Sequence, residues 1–124
     1  MTNKFPVNKW GISDKAAALH REACICDMTL PWVPEADGKN AALERFQASG
    51  FDFLSLSVGV ERMGLGHTVR YVLAMRDEFR SKPDQFRFIE TVQDIREAKA
   101  NGQLAIGFHF QGSEMLERDV RLVE

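Results

Sequence analysis

Thr91-Val92-Gln93-Asp94-Ile95-Arg96-Glu97-Ala98-Lys99-Ala100-Asn101-Gly102-Gln103-Leu104-Ala105-Ile106-Gly107-Phe108-His109-Phe110-Gln111-Gly112 is the stretch that decides the fold. Thr91 followed three residues later by Asp94 has the form of a capping box, so a helix opens here and runs through Ala100. Asn101-Gly102 closes it, because glycine accepts the left-handed conformation that ends a helix. The apolar run Leu104–Phe110 then reads as a strand. A helix delivered by a short turn into an apolar strand is one step of a repeating pattern, and the pattern extends through the rest of the chain.

Working backwards, 86–89 reads as a strand, and Ser81-Lys82-Pro83 ends a helix over 68–80 whose apolar positions are Val69, Val72, Leu73 and Phe79. Before it, 51–58 reads as a strand with both faces covered: Phe51, Phe53, Ser55 and Ser57 share one face, and Leu54, Leu56 and Val58 the other. Asn40 caps a helix through Ser49, with Gly50 as its stop. Ser13 caps another over Asp14–Glu22, followed by a strand over 23–28 and the loop Leu30-Pro31-Trp32-Val33-Pro34. A last helix is expected to start at Ser113 or Glu114 and run to Glu124, with Glu114 to Arg118 and Glu117 to Arg121 as i,i+4 pairs.

Strands alternating with helices at this spacing predict an α/β fold of parallel βα units, with sites at the carboxyl ends of strands. Two architectures satisfy the pattern, a small open sheet and the opening segment of a (β/α)8 barrel. A complete barrel typically needs about 250 residues, so 124 residues make a single partial α/β domain over 1–124 on the second reading. Apolar strands covered on both faces also need neighbours, and open edges predict either self-association or a missing carboxyl-terminal part.

Composition narrows the function classes. Sixteen Lys and Arg against eighteen Asp and Glu give a net charge of −2, which supplies no electrostatic case for nucleic acid or a membrane surface. Hydrophobic residues at 44% and charged residues at 27% are ordinary globular usage, which argues against disorder. No apolar run approaches the roughly 20 residues of a membrane span, and the opening residues lack the apolar region of a signal peptide, so a cytoplasmic location is expected. Cys24 and Cys26 point to one face of an extended segment, where a bridge would be strained, and they read as small buried thiols in a reducing compartment.

Two longer segments, Ala18-Leu19-His20-Arg21-Glu22-Ala23 leading to Ile25-Cys26-Asp27, and Asp94 to Gly102 leading to Ile106-Gly107-Phe108-His109-Phe110-Gln111-Gly112, together resemble the membrane (renal) dipeptidase family of metallopeptidases, in its divergent bacterial branch. The resemblance spans most of residues 15–124 and corresponds to the amino-terminal third or so of a family member. It implies an amidohydrolase-like (β/α)8 barrel, zinc as cofactor and hydrolysis of a small peptide or amide bond. The family's first strand ends in Asp-x-His-x-Asp. Here it ends Asp27-Met28-Thr29-Leu30-Pro31, so Thr29 and Pro31 stand where His and Asp ligands belong, and Gln111 stands at the bridging Glu. The resemblance therefore implies ancestry and fold more than peptidase activity, with zinc not tightly held by this chain alone.

The candidate strand-end residues are Asp27, Thr29, Trp32, His109 and Gln111, and three of them have a plainer alternative. Asp27 either serves a site or caps the turn that follows it. Trp32 either walls a substrate or anchors its loop. His109 is either a ligand or a hydrogen-bonded core histidine, and Gln111 is placed to bond a substrate carboxylate or amide. His67, beside Gly64 and Gly66, is either a site residue or a first-turn position, and those glycines lack the Lys-Ser or Lys-Thr of a phosphate loop. Two functions stand against each other: part of a metallo-dipeptidase-like hydrolase, inactive as this fragment, and a non-catalytic, self-associating α/β module that binds a small molecule.

Overall fold

The computed structural model describes residues 11–32, 41–60 and 63–123. The expected Asn40 cap, the outer part of the Pro-rich loop and the Glu61-Arg62 pair lie outside them. In chain order the elements are α1 (Asp14–Glu22), β1 (Cys26–Pro31), α2 (Ala41–Ala48), β2 (Phe53–Gly59), α3 (Leu65–Arg80), β3 (Phe86–Phe88), α4 (Val92–Asn101) and β4 (Leu104–Phe110). Two short 3-10 turns, Glu114–Leu116 and Val120–Val123, follow.

The strands form one parallel sheet in the order β1-β2-β4-β3. The reversal at β3 and β4 fixes where the helices go. A right-handed crossover that steps backwards along a sheet must pass over the opposite face from one that steps forwards. Accordingly Leu43 of α2 and Met75 and Phe79 of α3 pack with Leu54, Leu56, Leu104 and Ile106 on one face. Ala98 and Ile95 of α4 pack with Phe53 and Ala105 on the other. The first face carries the larger core, tightened by edge-to-face rings at Phe79–Phe86 (5.2 Å) and Phe88–Phe108 (4.9 Å). Every residue of β2 is buried, as its two-sided apolar pattern requires.

Local chemistry sets the boundaries. Ser13 accepts a hydrogen bond from the Ala16 N–H at 3.2 Å and caps α1. Thr91 and Asp94 complete the reciprocal capping box of α4, which ends at Gly102 with φ 70°. Gly50, at φ 94°, follows α2 in the same left-handed sense. α3 begins at Leu65, earlier than the expected Thr68, because Gly64 takes the extended N-cap conformation.

Two expectations need correction. β1 occupies Cys26–Pro31 rather than 23–28, since the Ile25 carbonyl is taken by the Asp52 and Phe53 N–H groups and the strand then continues through a bulge between Asp27 and Leu30. Pro31 is tolerated because, among the described residues, β1 is an edge strand. The final helix does not form. Met115 is buried at 1% exposure, and Glu117 and Arg118 turn to positive φ of 49° and 63°, which breaks the segment into 3-10 turns. Glu117 then accepts from the Leu65 N–H at 3.2 Å, and Arg121 pairs with Asp119 instead of Glu117.

Candidate functional site

The inner residues of β2 and β4 carry polar groups where a sheet face would ordinarily be apolar. Parallel register sets Ser55 beside Gly107 and Ser57 beside His109. His109 lies between the two serines: its Nδ1 is 2.9 Å from Ser55 Oγ and its Nε2 is 2.8 Å from Ser57 Oγ. Both serines are 5% exposed and His109 is half-buried. A neutral imidazole has one N–H donor and one ring acceptor. One serine hydroxyl therefore accepts from the ring while the other donates to it, and either assignment leaves both hydroxyl oxygens with lone pairs to offer.

The space for this grouping comes from sequence. Gly107 has no side chain, and a Cβ there would stand 3.0 Å from the Phe53 ring, so glycine lets Phe53 pack beneath the serine layer. Gly59, at the end of β2, carries Met115 and Phe110 directly against its Cα, and its carbonyl accepts from the Gln111 N–H at 2.8 Å. That bond fixes the backbone of Gln111 at the carboxyl ends of β2 and β4, with its side chain exposed.

The remaining sequence candidates fall in different places. Thr29, exposed, lies within the β1 bulge, and Pro31, Ser57 and His109 form one row across three strands. Asp27 lies instead in register with Leu54, and its Oδ1 accepts from the Thr29 N–H at 3.0 Å, the bond of an aspartate turning its own chain. Trp32 is 8% exposed within the larger core, with no hydrogen-bond partner for its Nε1 among the described residues. It packs the end of β1 into the core shared with α2 and α3. His67 is an exposed first-turn residue of α3. Among the described residues no three His, Cys, Asp or Glu side chains lie together in a group able to hold a metal ion.

Sequence reasoning placed Ser55 and Ser57 on one face of β2 but not in the site. The signal was present: two hydroxyls at i and i+2 in an otherwise apolar strand require a hydrogen-bond partner, and the half-buried His109 bonds both. The cysteines also differ from expectation. Cys24 and Cys26 are exposed rather than buried, because Cys24 precedes the strand and Cys26 sits at its open edge.

No family model matches the chain, and no curated protein matches it. Among solved structures, an amidohydrolase from Pseudomonas aeruginosa superposes with a TM-score of 0.74 at 25% identity, over 86% of this chain and 31% of that protein. The chain thus has an amidohydrolase-like α/β fold and spans about a third of that neighbour's length. Among the described residues no helix is long and apolar enough to cross a membrane.

Proposed function

We propose that this chain is the opening section of a dipeptidase-like amidohydrolase barrel, and that its Ser55–His109–Ser57 grouping binds the amide group of a small peptide or amide ligand. The observation that carries the reading is the imidazole bonded through both nitrogens to two buried hydroxyls, on strands of an amidohydrolase-like sheet. Parallel strands present their functional residues at carboxyl ends, and His109 is the penultimate residue of β4. An amide needs one acceptor for its N–H and one donor for its C=O. The two hydroxyls supply both: the serine that accepts from the ring N–H keeps its own O–H to donate, the serine that donates to the ring keeps lone pairs to accept, and the two exchange roles when the ring proton moves to the other nitrogen.

The zinc of the resembled family does not fit the residues at its positions. Thr29 offers a neutral hydroxyl, Pro31 has no side-chain donor, and Gln111 offers a neutral amide, whereas zinc sites are built from thiolate, imidazole and carboxylate. Residues 1–124 alone are proposed to lack dipeptidase turnover, and hydrolysis of a small amide bond is the reaction class proposed for the complete polypeptide. The cytoplasm is its proposed location.

The test is a calorimetric titration of the polypeptide, as its native cell makes it, with a panel of dipeptides and their amides, with and without chelator. Binding unchanged by chelator and weakened at least tenfold by His109→Ala is expected. Chelator-sensitive binding that survives His109→Ala would overturn the reading. A second reading rests on the exposed edge of β1, where Met28 is 61% exposed. A second copy pairing with that edge would make the chain a self-associating module, as open strand edges invite.

A further inference from the structure

The amino-terminal pole of the sheet, at the opposite end from His109, holds a second reactive grouping. Cys24 and Cys26 are both exposed, with their Sγ atoms 3.7 Å apart. The backbone between them is clamped. The Ile25 N–H donates to Asp52 Oδ2 at 2.8 Å, and the Ile25 carbonyl accepts from the Asp52 N–H at 2.8 Å and the Phe53 N–H at 3.2 Å. Lys99 Nζ reaches across from α4 to the same Asp52 oxygen at 2.8 Å and to the Ala23 carbonyl at 2.6 Å. Two accessible thiols thus sit side by side on a segment whose backbone is held in place on both sides.

We propose that Cys24 and Cys26 form a thiol–disulfide exchange site, in which a small-molecule disulfide oxidises the pair to a reversible bridge within one chain. The Cys24 thiolate, after losing its proton to water, attacks one sulfur of the small disulfide. The S–S bond breaks, and one small thiolate leaves with the bonding pair. Cys26, deprotonated in turn, attacks the Cys24 sulfur of this mixed disulfide and expels the second small thiolate. The protein loses two electrons and two protons, and the small disulfide is reduced to two thiols.

The order follows from the surroundings of Cys26. Its thiol is pushed up to about 11, by burial first and by its hydrogen bond to Cys24 next. That makes Cys26 the slower partner toward solvent. Geometry makes the bridge labile. In extended chain, residues two apart have Cα atoms about 6.6–6.8 Å apart, at the upper edge of what disulfides accept. Closure must contract the segment against the Asp52 and Lys99 clamp, and reduction restores the clamp. A strained, accessible bridge of this kind exchanges with its surroundings instead of acting as a permanent staple.

The test equilibrates the chain with reduced and oxidised glutathione in varied proportion, quenches with acid, alkylates free thiols and reads intact mass and peptide map. With oxidised glutathione in excess, loss of both alkylation sites and a mass lower by about 2 Da are expected. Excess reduced glutathione should return both thiols in full. Cys26→Ser should stop at a glutathione adduct on Cys24. Thiols that alkylate at every proportion, a persistent adduct on the unsubstituted chain, a bridge between two chains, or failure of Cys26→Ser to take the adduct would each overturn the proposal.

Discussion

Replacing His109 by alanine tests whether the Ser55–His109–Ser57 grouping is a satisfied, buried network. The imidazole supplies the hydrogen bonds to Ser55 and Ser57 at 2.9 and 2.8 Å, and each serine is 5% exposed. A buried hydroxyl stranded without a partner costs about 1–3 kcal/mol. Two stranded hydroxyls set an upper range of about 2–6 kcal/mol. His109 is itself half-buried, so its removal opens a polar space that admits water to one of them. The expected net loss is therefore about 2–3 kcal/mol. Replacing all three, as Ser55→Ala, Ser57→Ala and His109→Leu together, removes every stranded group and should recover most of that loss, to within about 1 kcal/mol of the unsubstituted chain. Urea unfolding followed by circular dichroism measures both, provided the dependence on denaturant keeps the same slope. A loss below about 0.5 kcal/mol for His109→Ala would refute the reasoning, because only freely hydrated hydroxyls are indifferent to losing their partner.

Three further outcomes are expected. The Asp94 carboxyl is held well below the ordinary 3.8, first by its hydrogen bond from Arg87 and then by the Glu90 and Thr91 N–H groups. A lowered folded-state value stabilises the fold above the ordinary carboxylate range, and that stabilisation is lost as pH falls through the lower value. Urea midpoints between pH 5 and pH 2 should therefore drop more for the unsubstituted chain than for Asp94→Asn, and equal slopes would contradict the assignment. Gly102→Ala, at φ 70°, should cost about 1 kcal/mol by thermal or urea unfolding, with Gly102→Asn costing less. Gln111→Glu should not confer zinc-dependent dipeptide hydrolysis, since Thr29 and Pro31 remain without ligand chemistry, and measured turnover in that variant would show the ligand assignment to be wrong.

The parts of the fold that were legible in sequence are those that local chemistry settles. Thr91, Asp94 and Gly102 fix α4 by capping and backbone conformation, and the apolar run after them, too short for a helix of its own, forms the strand β4. The order of the strands was not legible, because β3 is three residues long and its place beyond β4 depends on which face α4 covers. The failed final helix shows the same limit. Glu114 to Val123 has helical charge spacing, but burial of Met115 against Gly59 and Phe110 wins over it. In the candidate site, His109 was visible as a polar residue in an apolar strand. Ser55 and Ser57 became part of it only through a register that brings together residues 54 and 52 positions apart. Cys24 and Cys26 looked buried because apolar neighbours surround them in sequence, whereas both are exposed beside β1, an edge strand among the described residues.

The proposal that this chain opens an amidohydrolase barrel is tested most directly by the intact mass of the polypeptide made in its native cell. The chain of 14.1 kDa matches 31% of its amidohydrolase neighbour, so a mass roughly three times that value is predicted. A native polypeptide of 14.1 kDa would contradict the account and leave a self-associating α/β module in its place.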